Sequence, residues 1–158
     1  MAILIFTTLL IILDQLSKYI VVMNLKGNPP LVIKEGFLNL FYLENRGAAF
    51  GILQGRRIIF TIITIVVILI LLKVLFQNYK NSSKTLKLCI SLILGGTIGN
   101  FIDRVRLHYV VDFVSVRVFG YDFAVFNLAD VFIVIGTILL IILIIKHDSD
   151  ESFLNKEK

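Results

Sequence analysis

The stretch FNLADVFIVIGTILLIILII, residues 126–145, decides the fold. Beyond Asp130 it holds only Val, Phe, Ile, Gly, Thr and Leu. A helix starting at Leu128 and rising about 1.5 Å per residue is long enough to cross a hydrocarbon core of about 30 Å. Yet the run opens with an amide, Asn127, and a carboxylate, Asp130, three residues later. At the start of a helix in water, both would be ordinary caps that satisfy free backbone N–H groups and favour the positive end of the dipole. At the edge of a segment built for lipid, an acid is expensive, and its presence points to function. Asp130 is therefore either a cap or a working group.

Composition supports the lipid setting. Of the 158 residues, 58% are hydrophobic and 17% charged, more apolar than the surface of a soluble domain can carry. Four stretches have the length and character of a transmembrane helix, at about 2–23, 58–76, 86–104 and 128–146. The expectation is a single integral membrane domain over 1–158. It is all-α, with four transmembrane helices and a small extracytoplasmic β segment. Four crossings put both termini on one face. The first stretch lacks a basic leader and a small-residue cleavage pattern, and it runs through DQLSK into IVVM, so it reads as a retained helix. The polar tail KHDSDESFLNKEK reads as a frayed end. One cysteine, Cys89, excludes an intramolecular disulfide and fits no metal-ligand spacing. The net charge of +5 is scattered between apolar runs and forms no basic face, which points to a membrane surface and away from nucleic acid.

Basic residues set the expected orientation. Lys73, Lys80, Lys84 and Lys87 surround the short link between the second and third stretches, and Lys146, Lys156 and Lys158 lie in the tail, so that side reads as cytoplasmic. Lys26, Lys34, Arg46, Arg56 and Arg57 oppose this from a longer connection, where they are more spread out.

Both outer connections carry structure. In the first, LVIKEGFLNLFYL (31–43) is rich in β-branched and aromatic residues around a glycine turn and runs into ENRGAAFG (44–51). A β segment at about 27–55, lying against the membrane surface, is expected. The second, an outer loop at about 105–127, contains VVDFVSVRV, where Asp112 is the one polar member of a row with Val110, Val114, Val116 and Val118. A turn at FGYD (119–122) lets the chain fold back and bring Asp112 to Asp130. Two carboxylates that meet in a low dielectric cannot both ionise, so one keeps a proton while the other can act as a base.

The third stretch holds LGGTIGNFIDR (94–104). Gly95 and Gly99 form a small-xxx-small pair that admits a neighbouring helix. Asn100 and Asp103 share a face with Gly96, and Arg104 and Arg106 are expected to hold Asp103 ionised. In the first stretch Asp14 and Lys18 are i, i+4 neighbours and read as an internal salt bridge.

DQLSK (14–18), ENRGAAFG (44–51), GGTIGNFIDR (95–104), VVDF (110–113) and FNLAD (126–130), in this order on four apolar spans, make the chain resemble the bacterial lipoprotein (type II) signal peptidases. The resemblance implies an aspartyl protease of the bacterial cytoplasmic membrane. Such enzymes cut lipid-modified prolipoproteins before a cysteine that carries diacylglycerol; they need no metal or other cofactor and are inhibited by globomycin-like peptides. It implies Asp112 and Asp130 as the catalytic pair. It also implies that Asp14, Lys18, Asn45, Gly96, Asn100, Asp103, Arg104, Asn127 and Ala129 shape the pocket, orient loops or contact substrate. The expected partners are the prolipoprotein and membrane lipid, with the enzyme a monomer and its outer β segment covering the site. A small exporter would instead need an acid deep in a span, whereas Asp14 lies toward one end with Lys18 beside it. A packing subunit would have no use for the two acids.

Overall fold

A computed structural model describes residues 2–47, 57–77 and 82–154. The described residues form four helices and four strands, in the order α1 (Ala2–Leu25), β1 (Leu31–Lys34), β2 (Leu38–Asn45), α2 (Arg57–Gln77), α3 (Lys84–Arg106), β3 (Val110–Val118), β4 (Tyr121–Asp122) and α4 (Leu128–Leu154). Among the described residues, α1, α3 and the Leu128–Lys146 part of α4 are long and apolar enough to cross a membrane, and the apolar stretch of α2, Thr61–Gln77, is shorter. Residues 48–51 of the ENRGAAFG motif lie outside the described residues, as do Arg56, Lys80, Lys156 and Lys158.

Helix α3 is the centre of the bundle. Its span is 56% buried, against 28% for α1 and 11% for α4, so its neighbours pack around it and turn their remaining faces outward. Those outward faces carry Leu4, Leu9, Leu13 and Ile20 on α1 and Val134, Ile138, Ile142 and Ile145 on α4, all exposed. Such a continuous apolar mantle is stable in lipid and a liability in water. Glycines bring the helices into near contact. A side chain at Gly95 would collide with Leu10, one at Gly99 with Asp14, and one at Gly96 with the backbone carbonyl of Ala129. Gly95 and Gly99 thus admit α1, as their spacing predicts, while Gly96 admits α4.

At the far end from the sheet, Ile3, Leu75, Ile90 and Leu94 form a core shared by α1, α2 and α3. At the other end, Val21 of α1 packs with Val111 and Phe113 of β3. Helix α1 stops where Gly27 adopts φ +78, with the Asn28 N–H donating to the Leu25 carbonyl at 3.2 Å and Pro29 and Pro30 following. The strands form one antiparallel sheet in the order β1-β2-β3-β4. Gly36 at φ +67 makes the β1–β2 turn. The sheet is larger than the small β segment expected, because the VVDFVSVRV alternation belongs to a strand that pairs with β2 through Asn39↔Ser115 and Asn45↔Val110.

The tail differs from expectation: α4 continues as helix to Leu154. Once a long span supplies the nucleus, each added residue gains a backbone bond, so the helix extends beyond the apolar run.

Candidate active site

The site is assembled where the carboxyl end of α3, the amino end of α4, β2 and β3 meet, beside the buried polar face of α1. Its foundation is Lys18, 3% exposed and one turn from Asp14, which is fully buried. The Lys18 Nζ donates to Asp14 Oδ2 at 2.8 Å, to Asp103 Oδ2 at 3.0 Å and to Asn100 Oδ1 at 2.8 Å, using all three of its hydrogens. Removing one partner of such a buried group leaves an uncompensated charge, at a cost of about 3–5 kcal/mol. The Asp14–Lys18 salt bridge is present as expected. The expected partner of Asp103 is corrected: Lys18 and the Gln15 Nε2, at 3.0 Å, hold its carboxylate, and it accepts the Val111 N–H at 3.2 Å. Arg104 instead reaches the Asn100 carbonyl at 3.4 Å, and its field acts first on Asp130, then on Asp112 and last on Asp103. Arg106 is exposed. The side chains of Arg104 and Asp103 diverge because successive residues on a helix point about 100° apart.

From this foundation a chain of amides runs to the two acids. The Lys18 ammonium forces the Asn100 carbonyl oxygen toward itself, so the Asn100 amide points the other way and donates to Asp130 Oδ1 at 2.8 Å. Asn127, fully buried, donates its side-chain amide to Asn100 Oδ1 at 3.0 Å and to Asp112 Oδ1 at 2.6 Å. Its own oxygen accepts the Asp130 N–H at 3.1 Å, while its backbone N–H donates to Asp130 Oδ2 at 3.0 Å. This reciprocal pair is a capping box, and it settles what the acid at the helix start does locally. Asp130 caps α4 and, through the same residue, is tied to Asp112. The next free N–H of the helix, that of Ala129, is satisfied by Asp14 Oδ1 at 3.0 Å, so a carboxylate of α1 completes the amino end of α4.

Asp112, 1% exposed, accepts a second amide, from Asn45 Nδ2 at 2.7 Å. Asn45 is itself fixed by the Gly47 N–H, which donates to its oxygen at 3.0 Å. Beside it, Tyr42 donates to Glu44 at 3.0 Å and meets the Tyr109 hydroxyl at 3.0 Å, and Arg46 closes the group on Glu44 at 2.8 Å. Burial, then the bonds to Tyr109 and Glu44, push the Tyr42 hydroxyl far above its ordinary value, so it remains a neutral donor.

All the sequence-predicted site residues among Asp14, Lys18, Asn45, Gly96, Asn100, Asp103, Arg104, Asp112, Asn127, Ala129 and Asp130 therefore lie in one connected region. Gln15 joins them without having been singled out. Its amide bridges Asp103 and the Gly99 carbonyl, at 3.0 and 3.2 Å, and its signal in the sequence was a polar side chain next to Asp14 within an apolar run. Among the described residues, no group of three or more His, Cys, Asp or Glu is placed to hold a metal ion.

Residues 6–146 match the protein family described as signal peptidase (SPase) II. The chain belongs to the signal peptidase II family. It is 45% identical over 142 residues to the lipoprotein signal peptidase of Clostridium tetani, covering 89% of this chain and 90% of that protein. It is 41% identical over 141 residues to the one from Staphylococcus aureus (strain bovine RF122 / ET3-1), covering 89% and 86%. A bacterial membrane enzyme solved by the in meso method at 2.3 Å resolution superposes with a TM-score of 0.85 at 38% identity, over 94% of this chain and 90% of that one. The chain is an integral membrane protein with the apolar spans this family requires.

Two properties of this site bear on chemistry. Burial raises the Asp112 carboxyl from 3.8 to about 6; the bond from Asn45 opposes this, the Asp130 charge adds to it, and the Asn127 bond and Lys18 charge oppose it in turn. A carboxyl so placed exchanges its proton near neutrality, as a general acid or base must. Second, an apolar groove of about 590 Å³ runs between β3 and α4, walled by Val116, Val118, Phe126, Val134 and Ile135, and among the described residues Asp130 is the one polar group lining it. The groove thus presents the Asp130 carboxyl group to whatever apolar chain lies within it.

Proposed function

We propose that the chain removes the signal peptide from diacylglyceryl-modified prolipoproteins, with Asp112 and Asp130 hydrolysing the peptide bond before the lipidated cysteine. The observation that carries this reading is the single residue, Asn127, that donates to both carboxylates, through its amide to one and its backbone to the other. Family membership supports the activity, and the groove at Asp130 supports a substrate that brings a large apolar group to the acids.

The substrate's signal helix enters laterally between the spans, and its acyl chains occupy the groove. One carboxylate of the pair takes a proton from water, whose oxygen attacks the scissile carbonyl carbon. The other donates its proton to the carbonyl oxygen, giving a neutral tetrahedral species. That species collapses as the first carboxyl passes its newly gained proton to the departing nitrogen, and the diol proton returns to the second. The proton belongs to the pair, so neither residue is permanently acid or base. Asn45, Asn100 and Asn127 orient the carboxylates and contribute no proton. Lys18, Asp14, Asp103 and Gln15 hold Asn100 in the one orientation that turns its amide to Asp130. Arg104 supplies positive field to the pair.

In this reading all four helices span, α2 included, within a single integral domain of the bacterial cytoplasmic membrane. Lys73, Lys84, Lys87 and Lys146 mark the cytoplasmic side, on which both termini lie; the sheet and the acids stand at the outer boundary. The enzyme acts as a monomer and the surrounding lipid is its solvent.

The test uses purified protein and a lipidated precursor. Asp112→Asn and Asp130→Asn should each abolish cleavage, by 10³-fold or more on the order expected for loss of an acid–base group plus its partner, while each variant still inserts and unfolds at a temperature near that of the wild type. Turnover by either variant within tenfold of wild type would remove that residue from the pair.

A further inference from the structure

The hairpin formed by β3 and β4 carries at its tip two aromatic groups that the reaction does not use. Phe119 is 96% exposed and Tyr121 78%. Phe119 and Gly120 form a two-residue turn in which both have positive φ, 51° and 82°. A turn of this kind favours Asn or Asp followed by Gly, and a bulky side chain at its first position is an outlier that the local backbone does not call for. The hairpin is also braced. Arg117 Nε and Nη2 reach both oxygens of Asp122 at 2.6 and 2.8 Å across the register pair Arg117↔Asp122. A stiff turn therefore holds a phenyl ring almost entirely clear of the protein.

The surroundings of that ring identify its partner. Val118 and Phe123, at the base of the tip, wall the groove beside Asp130, and the facing wall is Val134 and Ile135 of α4. Those two residues are 55% and 45% exposed on the outer flank of a membrane-spanning helix, so lipid already lies against them. The aromatic tip is continuous with this lipid-facing surface, as the outer lip of the same wedge. Tyr, with an apolar ring and a polar hydroxyl, is enriched where side chains sit at headgroup level, and the neighbouring Phe119 adds apolar area.

We propose that the β3–β4 tip is a second membrane contact, with Phe119 and Tyr121 inserted into the leaflet that borders the acids, so that the groove at Asp130 opens into lipid and not into water. The occupant of this surface is the bilayer itself. Acyl chains attached to a substrate then pass from leaflet to groove without crossing an aqueous gap. That consequence rests on the proposed function; the membrane contact does not.

The chain contains no tryptophan, so Phe119→Trp creates a single fluorescent reporter, and Tyr121→Trp creates an independent one. Each full-length variant is reconstituted into vesicles of phosphatidylglycerol and phosphatidylcholine, without substrate. The expected result is blue-shifted emission, quenched by phosphatidylcholine brominated high on its acyl chains and shielded from aqueous iodide. Iodide quenching equal to that of free indole, with no quenching by brominated lipid, overturns the proposal. So does lipid quenching that appears only once a lipidated precursor is added, since the tip would then meet substrate and not bilayer. Neither reading depends on turnover, so failure of the carboxylate pair and failure of the membrane contact are separately visible.

Discussion

Asn127 answers the question posed by an acid at the start of an apolar helix: cap and working group are the same residue set. Its oxygen accepts the Asp130 N–H, and its two amide hydrogens go to Asp112 and Asn100, so no polar atom of the side chain is left over. Asn45 works on the other side of the pair, with an amide that favours the charged form of Asp112. Replacing it with Ala removes a bond to a charged acceptor worth about 1.5 kcal/mol, which corresponds to about one pH unit. The sign follows from the charge preference. Without Asn45 the Asp112 carboxyl holds its proton to higher pH, so under the proposed mechanism the alkaline limb of kcat/KM should move upward by about one unit. A pH–rate profile of Asn45→Ala checks this, and a limb that stays or moves down would remove Asn45 from the pair's environment. Asp112 was legible in the sequence as the odd member of a valine row, and Asn127 and Asp130 as a cap. The partner of Asp103 was not, because the nearest cation along the chain, Arg104, points to another face of α3 while the true partner lies on another helix.

Helix α3 carries glycine on two faces because it is squeezed from two sides. Gly99 leaves room for Asp14 of α1, and Gly96 lets the Ala129 carbonyl of α4 approach. The second contact sets the distance between Asn100 and Asp130, since Asn100 stands about one turn beyond Gly96 and Asp130 directly follows Ala129. Gly96→Ala should force α3 and α4 apart. Overpacking of this kind costs about 1–3 kcal/mol, and the Asn100 amide would no longer reach Asp130. Thermal unfolding in detergent and precursor turnover should therefore fall together, and an unchanged melting temperature with full activity would contradict the packing assigned here. The pattern G-x-x-x-G revealed one glycine face but not the other, because Gly96 adjoins Gly95 and has no partner four residues away that would mark it. Strand β3 was readable from its alternation of apolar and polar residues. Strand β4 was not, since its two residues are too few to show a period and it exists only by pairing with Arg117 and Val118.

The four apolar stretches were legible because lipid demands a minimum run length, whereas the polar core was legible only in pieces. Asp14, Asp103, Asp112 and Asp130 come from three helices and a strand, with Lys18 as the buried cation among them. Their arrangement divides the acids into two that bond to Lys18 and two that are joined through Asn127. In the mechanism proposed above the first pair stabilises the fold, and the second, joined through Asn127, shares a proton. Proton sharing between Asp112 and Asp130 can be observed without any substrate. With isotope-labelled aspartate carboxyl carbons, a nuclear magnetic resonance titration of Asp112 should give a midpoint near 6 in the wild-type protein. In Asp130→Asn, where the neighbouring negative charge is gone, the midpoint should fall toward the ordinary carboxylate range. An Asp112 midpoint that is the same in both proteins would mean that the two acids do not sense each other, and the paired-carboxylate account would be wrong.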